Sequence, residues 1–128
     1  MVTAVSSGIK ITVVTQYERD YSSPANEQYF FIYNITIENT NDFPVKLLRR
    51  EWFIIDSNGD KREVEGEGVV GEQPVIPPGS KYSYSSGCDF MTDFGSMSGS
   101  YLMKRLDAGL VFKAHIPRFY MLAPWRLN

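Results

Sequence analysis

Val64–Gly79 reads Val64-Glu65-Gly66-Glu67-Gly68-Val69-Val70-Gly71-Glu72-Gln73-Pro74-Val75-Ile76-Pro77-Pro78-Gly79, and the fold turns on it. Gly66, Gly68 and Gly71 spell GxGxxG, a pattern that in a dinucleotide fold joins a strand to a helix whose N-terminus holds pyrophosphate. A strand over Lys61–Glu65 fits. A helix does not, because Pro77 and Pro78 would break it after about one turn. The residue before each proline is also pushed toward extended geometry. The stretch therefore reads as strand, irregular glycine loop, extended run and a turn at Pro77-Pro78-Gly79.

Charge weighs on the same loop. Glu63, Glu65, Glu67 and Glu72 surround it. Against a phosphate about 8 Å away, each carboxylate costs on the order of 1 kcal/mol, less with salt. Lys61 and Arg62 offset part of that. Three readings stay open: a structural loop or bulge, an anion-binding nest of backbone amides at Gly66, Gly68 and Gly71, or a cation or other ligand.

Outward from this stretch, the chain alternates. Ile9, Ile11 and Val13 share one face of Gly8–Gln16, with Lys10 and Thr12 opposite. Glu27–Asn39 is the strongest strand, with Tyr29, Phe31, Tyr33, Ile35 and Ile37 in line. Val45–Asp56 carries Leu47, Leu48, Trp52, Phe53, Ile54 and Ile55, interrupted by Arg49-Arg50-Glu51, so a central strand and a bulged one both fit. Asn58-Gly59 predicts a type I′ hairpin turn. Ser80–Ser86 alternates again, and Gly87–Gly95 reads as a loop over an open end of the core. Ser96–Arg105 and Leu110–Ile116 flank a tight turn at Asp107-Ala108-Gly109. Leu110, Phe112, Ala114 and Ile116 are expected inward, and Pro117 is expected to end that pairing. Phe119–Asn128 reads as an extended aromatic tail docked on the body. About seven strands with regular turn signals predict a single all-β domain over residues 1–128, an antiparallel two-sheet sandwich of the immunoglobulin or fibronectin-III kind.

The 128 residues hold 13 Lys and Arg against 15 Asp and Glu, a net charge of −2, which argues against a nucleic-acid or membrane-surface binder. Cys88 is the only cysteine, so no internal disulfide forms, and a cytoplasmic home is expected. Met1–Gly8 lacks the basic end and apolar run of a secretory signal.

Chemistry-bearing residues are sparse. His115 is the only histidine and falls on a strand face assigned to solvent. Asp89 beside Cys88 disfavours a thiolate. One His and one Cys leave half of a zinc ligand set missing. Asp56, Asn58, Asp60 and Glu67 match calcium-loop spacing, but Lys61 stands where the loop needs glycine. Hence no catalytic residue, metal site or cofactor is assigned. The basic doublets Arg49-Arg50 and Lys104-Arg105 read as solvated charge. Of Tyr82, Tyr84, Phe119, Tyr120 and Trp125, most are expected in the core, and any left bare would form a protein-binding patch.

The whole pattern resembles the bacterial ApaG family. Its carriers are Ser23-Pro24, the Tyr29–Asn39 strand, Leu48 and Arg49 with Trp52, and above all the phrase from Val64 to Gly79. Tyr82–Gly87, Met97–Gly99, Ile116–Phe119 and Ala123-Pro124 extend the resemblance over nearly the whole chain. It implies a sandwich of two antiparallel sheets in a cytosolic bacterial protein. It also implies an association with cobalt and magnesium efflux, protein-interaction roles in eukaryotic relatives, and pyrophosphate binding at Gly66, Gly68 and Gly71. The expectation is a non-enzymatic module that binds an unidentified protein partner, with a homodimer as one form. The alternatives are pyrophosphate or nucleotide binding at Gly66–Gly71, and a divalent-cation regulator using Asp56, Asp60, Glu65 and Glu67.

Overall fold

The structure, a computed structural model, describes residues 1–127. In chain order its strands are β1 (Val2–Ser6), β2 (Ile9–Tyr17), β3 (Tyr29–Asn39), β4 (Val45–Asp56), β5 (Lys61–Glu67), β6 (Val75–Ile76), β7 (Lys81–Phe90), β8 (Phe94–Arg105) and β9 (Val111–Leu122). One antiparallel sheet runs β1-β2-β3-β7; the other runs β5-β4-β8-β9, with β6 continuing the β5 side of β4. The two pack as a sandwich. That is nine strands among the described residues rather than about seven.

The two extra strands are short and lack an apolar signature of their own. β1 has only half-buried Val2, Ala4 and Ser6 on its inner face. It exists because Ser7 and Gly8, both at positive φ, fold it back onto β2 in a two-residue turn. β6 is two residues long and pairs only with Val45 and Lys46.

Each inner face is set by period-2 alternation, and two bulges reset its parity. In β4, Val45 and Leu47 point inward; the register shift at Leu48 then turns Trp52, Ile54 and Asp56 inward. In β9, Ala114 and Ile116 are buried before Pro117, and Phe119 and Met121 after it. Pro117 does not end the pairing as expected. It sits in a bulge, where its missing N–H is tolerated, and β9 continues to Leu122. The tail is therefore a strand as far as Leu122, and only Pro124–Arg126 forms a separate 3-10 turn. Leu110 is not inward either; it is 60% exposed, just outside the strand.

Gly87–Gly95 is mostly strand, not loop. Gly87, Cys88 and Phe90 pair with Ile32, Phe31 and Tyr29. At Gly87, expected in the loop, the Phe30 ring lies on the strand: a Cβ there would sit 2.3 Å from the ring. Asn58-Gly59 also departs from expectation. Only Gly59 has positive φ, and the Asp56 N–H bonds the Asp60 carbonyl, which makes a three-residue loop instead of a type I′ turn.

Trp52 lies at the centre of the core. Its rings meet Tyr33 at 5.4 Å, Phe119 at 5.9 Å and Tyr101 at 6.4 Å, all edge-on. Buried Asn39 closes one end: its Nδ2 donates to the Phe43 and Ile76 carbonyls, and its Oδ1 accepts the Asn41 N–H. On one side β1 meets β9, where the His115 N–H donates to the Ser6 hydroxyl. On the other side β5 and β7 are joined at one end through Arg62 and Asp89, 3.3 Å apart.

Candidate functional site

The three motif glycines do not line one nest. Gly66 lies within β5, opposite Arg50. Gly68 and Gly71 lie beyond it, at φ 63° and 79°. Val70 and Gly71 form a two-residue hairpin tip: the Val69 and Glu72 N–H groups each donate to the other's carbonyl, at 2.8 and 2.9 Å. The Gly68 N–H donates to the Leu48 carbonyl at 2.9 Å. Three amides of the loop are thus engaged with backbone oxygens.

Arg50 explains much of the glycine spacing. The Leu48 bulge turns it inward, onto the face it shares with Tyr101. Its guanidinium lies over Gly66, where a Cβ would be 2.9 Å away. It donates to the carbonyls of Glu67 and Gly68, both at 3.0 Å. Arg50 is therefore a half-buried clamp on the hairpin, not the solvated charge its doublet suggested; Arg49 is exposed.

The acidic residues of the cation reading are not brought together. Asp56 is buried and accepts the Met91 N–H and the Thr92 hydroxyl. Asp60 is exposed in the hairpin, near the Asn58 amide. Glu65 and Glu67 lie on the exposed outer face of β5. Among the described residues, no group of three or more His, Cys, Asp or Glu side chains is placed to hold a metal. His115 is exposed on β9.

Buried Tyr33 and Tyr101 and half-buried Tyr84 stand on β3, β8 and β7. The Tyr84 and Tyr101 hydroxyls are 2.5 Å apart. Burial raises both above the ordinary 10.0, and raises Tyr33 too. Burial also pushes the Cys88 thiol up to about 11, although Arg62 opposes the shift. Two results are expected. Native Cys88 should alkylate far more slowly at pH 8 than in denaturant, which a mass-spectrometric time course reads; equal rates would contradict the burial. The phenols hold their protons more tightly when folded, so the stability this confers is complete below pH 10 and lost as pH rises above it. Urea midpoints measured from pH 8 to 11 should fall with pH, and fall less in Tyr84→Phe.

A family model described as "ApaG domain" matches residues 19–105. "Protein ApaG" of Maricaulis maris is 46% identical over 119 residues, covering 93% of this chain and 91% of its own. That of Proteus mirabilis is 45% identical over 124 residues, with coverages of 96% and 98%. The chain belongs to the ApaG family. A crystal structure of the Bordetella pertussis protein described as ApaA superposes with a TM-score of 0.88 at 34% identity, over 97% of this chain and 98% of that one.

In this ApaG chain two features escaped the sequence reading. One is Arg50, which could have been found only by asking which side chain fills the space above a strand glycine. The other is an aromatic cleft of about 560 Å³ lined by Tyr17, Arg19, Ser22, Pro24, Pro124 and Trp125. Both of its walls are proline-containing, and they come from opposite ends of the sequence.

Proposed function

We propose that this ApaG-family protein is a cytoplasmic, non-enzymatic module that binds a partner protein by strand addition along β5. One observation carries the reading. β5 is the last strand of its sheet, and all of Lys61–Glu65 is exposed. The Asp56 N–H to Asp60 carbonyl bond starts the ladder, so alternation directs the backbone groups of Arg62, Val64 and Gly66 to β4. Those of Glu63 and Glu65 face the free edge. Such an edge is a template for another strand.

The charges choose the partner. Glu63, Glu65 and Glu67 stand in line on the outer face, none in an ion pair among the described residues. A two-fold pairing of β5 with a second copy, centred on Val64, sets Glu63 opposite Glu65 twice and Lys61 opposite Glu67 twice, so repulsion and attraction offset and charge gives the self-pairing no net gain. A strand with alternating Lys or Arg fits instead. An effect on cobalt or magnesium efflux would then run through that partner. Glu65→Pro is the test, since it removes an outward N–H and spares the ladder to β4. Partners captured from native cells should be lost with this variant while its urea midpoint changes little. Retention of every partner by the Pro variant, or a wild-type protein that is dimeric by sedimentation and captures nothing, removes the reading.

A further inference from the structure

The aromatic cleft is a second surface, away from β5. Its Tyr17 wall ends β2, and its Trp125 wall follows β9. Trp125 is 49% exposed, yet it is fixed in place. Its Nε1–H donates to Asp93 at 2.7 Å, Arg126 pairs with the same carboxylate at 2.9 Å, and its ring meets Tyr17 at 5.6 Å and Tyr29 at 6.3 Å. The facing loop is equally held. The Ser22 hydroxyl donates to the Glu18 carbonyl at 2.7 Å and accepts the Phe30 N–H at 2.9 Å. A large aromatic side chain left in water but already immobilised loses little entropy on binding, the usual property of an interface anchor.

The lining fixes the ligand's chemistry. Pro24 and Pro124 have no N–H to offer. The Ser22 hydroxyl and the Trp125 indole N–H are already engaged. An extended strand needing ladder bonds would go unsatisfied here. A polyproline II segment makes few such demands and stacks its rings on Tyr and Trp. Arg19 supplies the charged contact of the lining, beside the Tyr17 hydroxyl. It forms no ion pair among the described residues, and its acidic neighbours Glu18 and Asp20 do not line the cleft.

We propose that this cleft binds a proline-containing, acidic segment of a partner protein, with prolines between Tyr17 and Trp125 and a carboxylate on Arg19. The inference shares with strand addition the premise that the chain binds proteins, but it uses different residues and a partner of opposite charge.

The test titrates the full chain with an acetylated synthetic peptide of alternating proline and glutamate and follows indole fluorescence, in which exposed Trp125 responds and buried Trp52 does not. Saturable binding is expected. It should weaken at least about tenfold in Arg19→Glu and, read by titration calorimetry because the responding indole is gone, in Trp125→Ala, and remain unchanged in Glu65→Pro. Arg19 is exposed, so its variant keeps the fold if Trp125→Ala does not. The Arg19→Glu variant should instead prefer a peptide with lysine in place of glutamate. No saturation at millimolar peptide overturns the proposal. So does equal binding when alanine replaces proline, or equal binding of benzoate, which would mark a small-molecule site. Retention of every captured partner by Glu65→Pro, with peptide binding intact, would sink strand addition alone.

Discussion

Gly68→Ala is expected to lower the unfolding free energy by about 3 kcal/mol, adding about 1–2 kcal/mol for a left-handed residue that gains a Cβ to a similar cost for displacing packed backbone. The added Cβ would sit 2.1 Å from the Glu72 carbonyl oxygen at φ 63°. Gly71→Ala meets open space, so only the backbone cost of about 1 kcal/mol applies. Gly66→Ala pushes on the Arg50 guanidinium, a movable group, and should fall between the two. This order follows from packing. A loop selected for phosphate would show a different one: Gly71→Ala, at the tip, would lose pyrophosphate binding with its stability nearly intact. Urea midpoints and a pyrophosphate titration on the same three variants separate the cases. A Gly71→Ala as damaging to stability as Gly68→Ala would defeat the packing account.

Trp52→Ala should cost still more, about 3–5 kcal/mol, because a large cavity opens in a close-packed core. Against a total of roughly 5–15 kcal/mol for a small domain, that leaves the chain near unfolding. Trp52 bridges the layers through Tyr33 on one sheet and Tyr101 and Phe119 on the other. Trp52→Phe keeps part of the contact and should lose about half as much. Chemical denaturation followed through Trp125 reads both, and a Trp52→Ala loss below about 1 kcal/mol would mean the core collapses around the gap.

Asn39→Ala tests the same closure from its polar side. It strands a buried carbonyl, a half-buried carbonyl and one N–H, and should cost about 2–3 kcal/mol by denaturant midpoint. Asn39→Asp restores only the acceptor and should recover little.

The class of fold was legible because strand periodicity is local. Ile9, Ile11 and Val13, or Phe31 through Ile37, declare their inner face without knowledge of a partner. The prolines after Gly71 excluded a helix by the same local sterics. Where the reading failed, the deciding contact was remote. Gly87 looked like a loop residue until Phe30 was seen lying on it. Pro117 reads as an end, yet a bulge in β9 lets the pairing with β8 run past it. Ser7-Gly8 and Val70-Gly71 took the two-residue turns that Asn58-Gly59 was expected to take, since the length of each loop was set by the pairing on both sides of it.

From its sequence alone this chain is pleated and antiparallel, because backbone sterics and side-chain alternation act between near neighbours, and the phrase from Val64 to Gly79 marks its resemblance to the ApaG family. Only the tertiary structure turned Arg50 onto the glycine hairpin, left β5 with a bare edge, and brought Tyr17 beside Trp125. Each of those depends on strand register and sheet order, which arise from pairing between segments far apart in the chain.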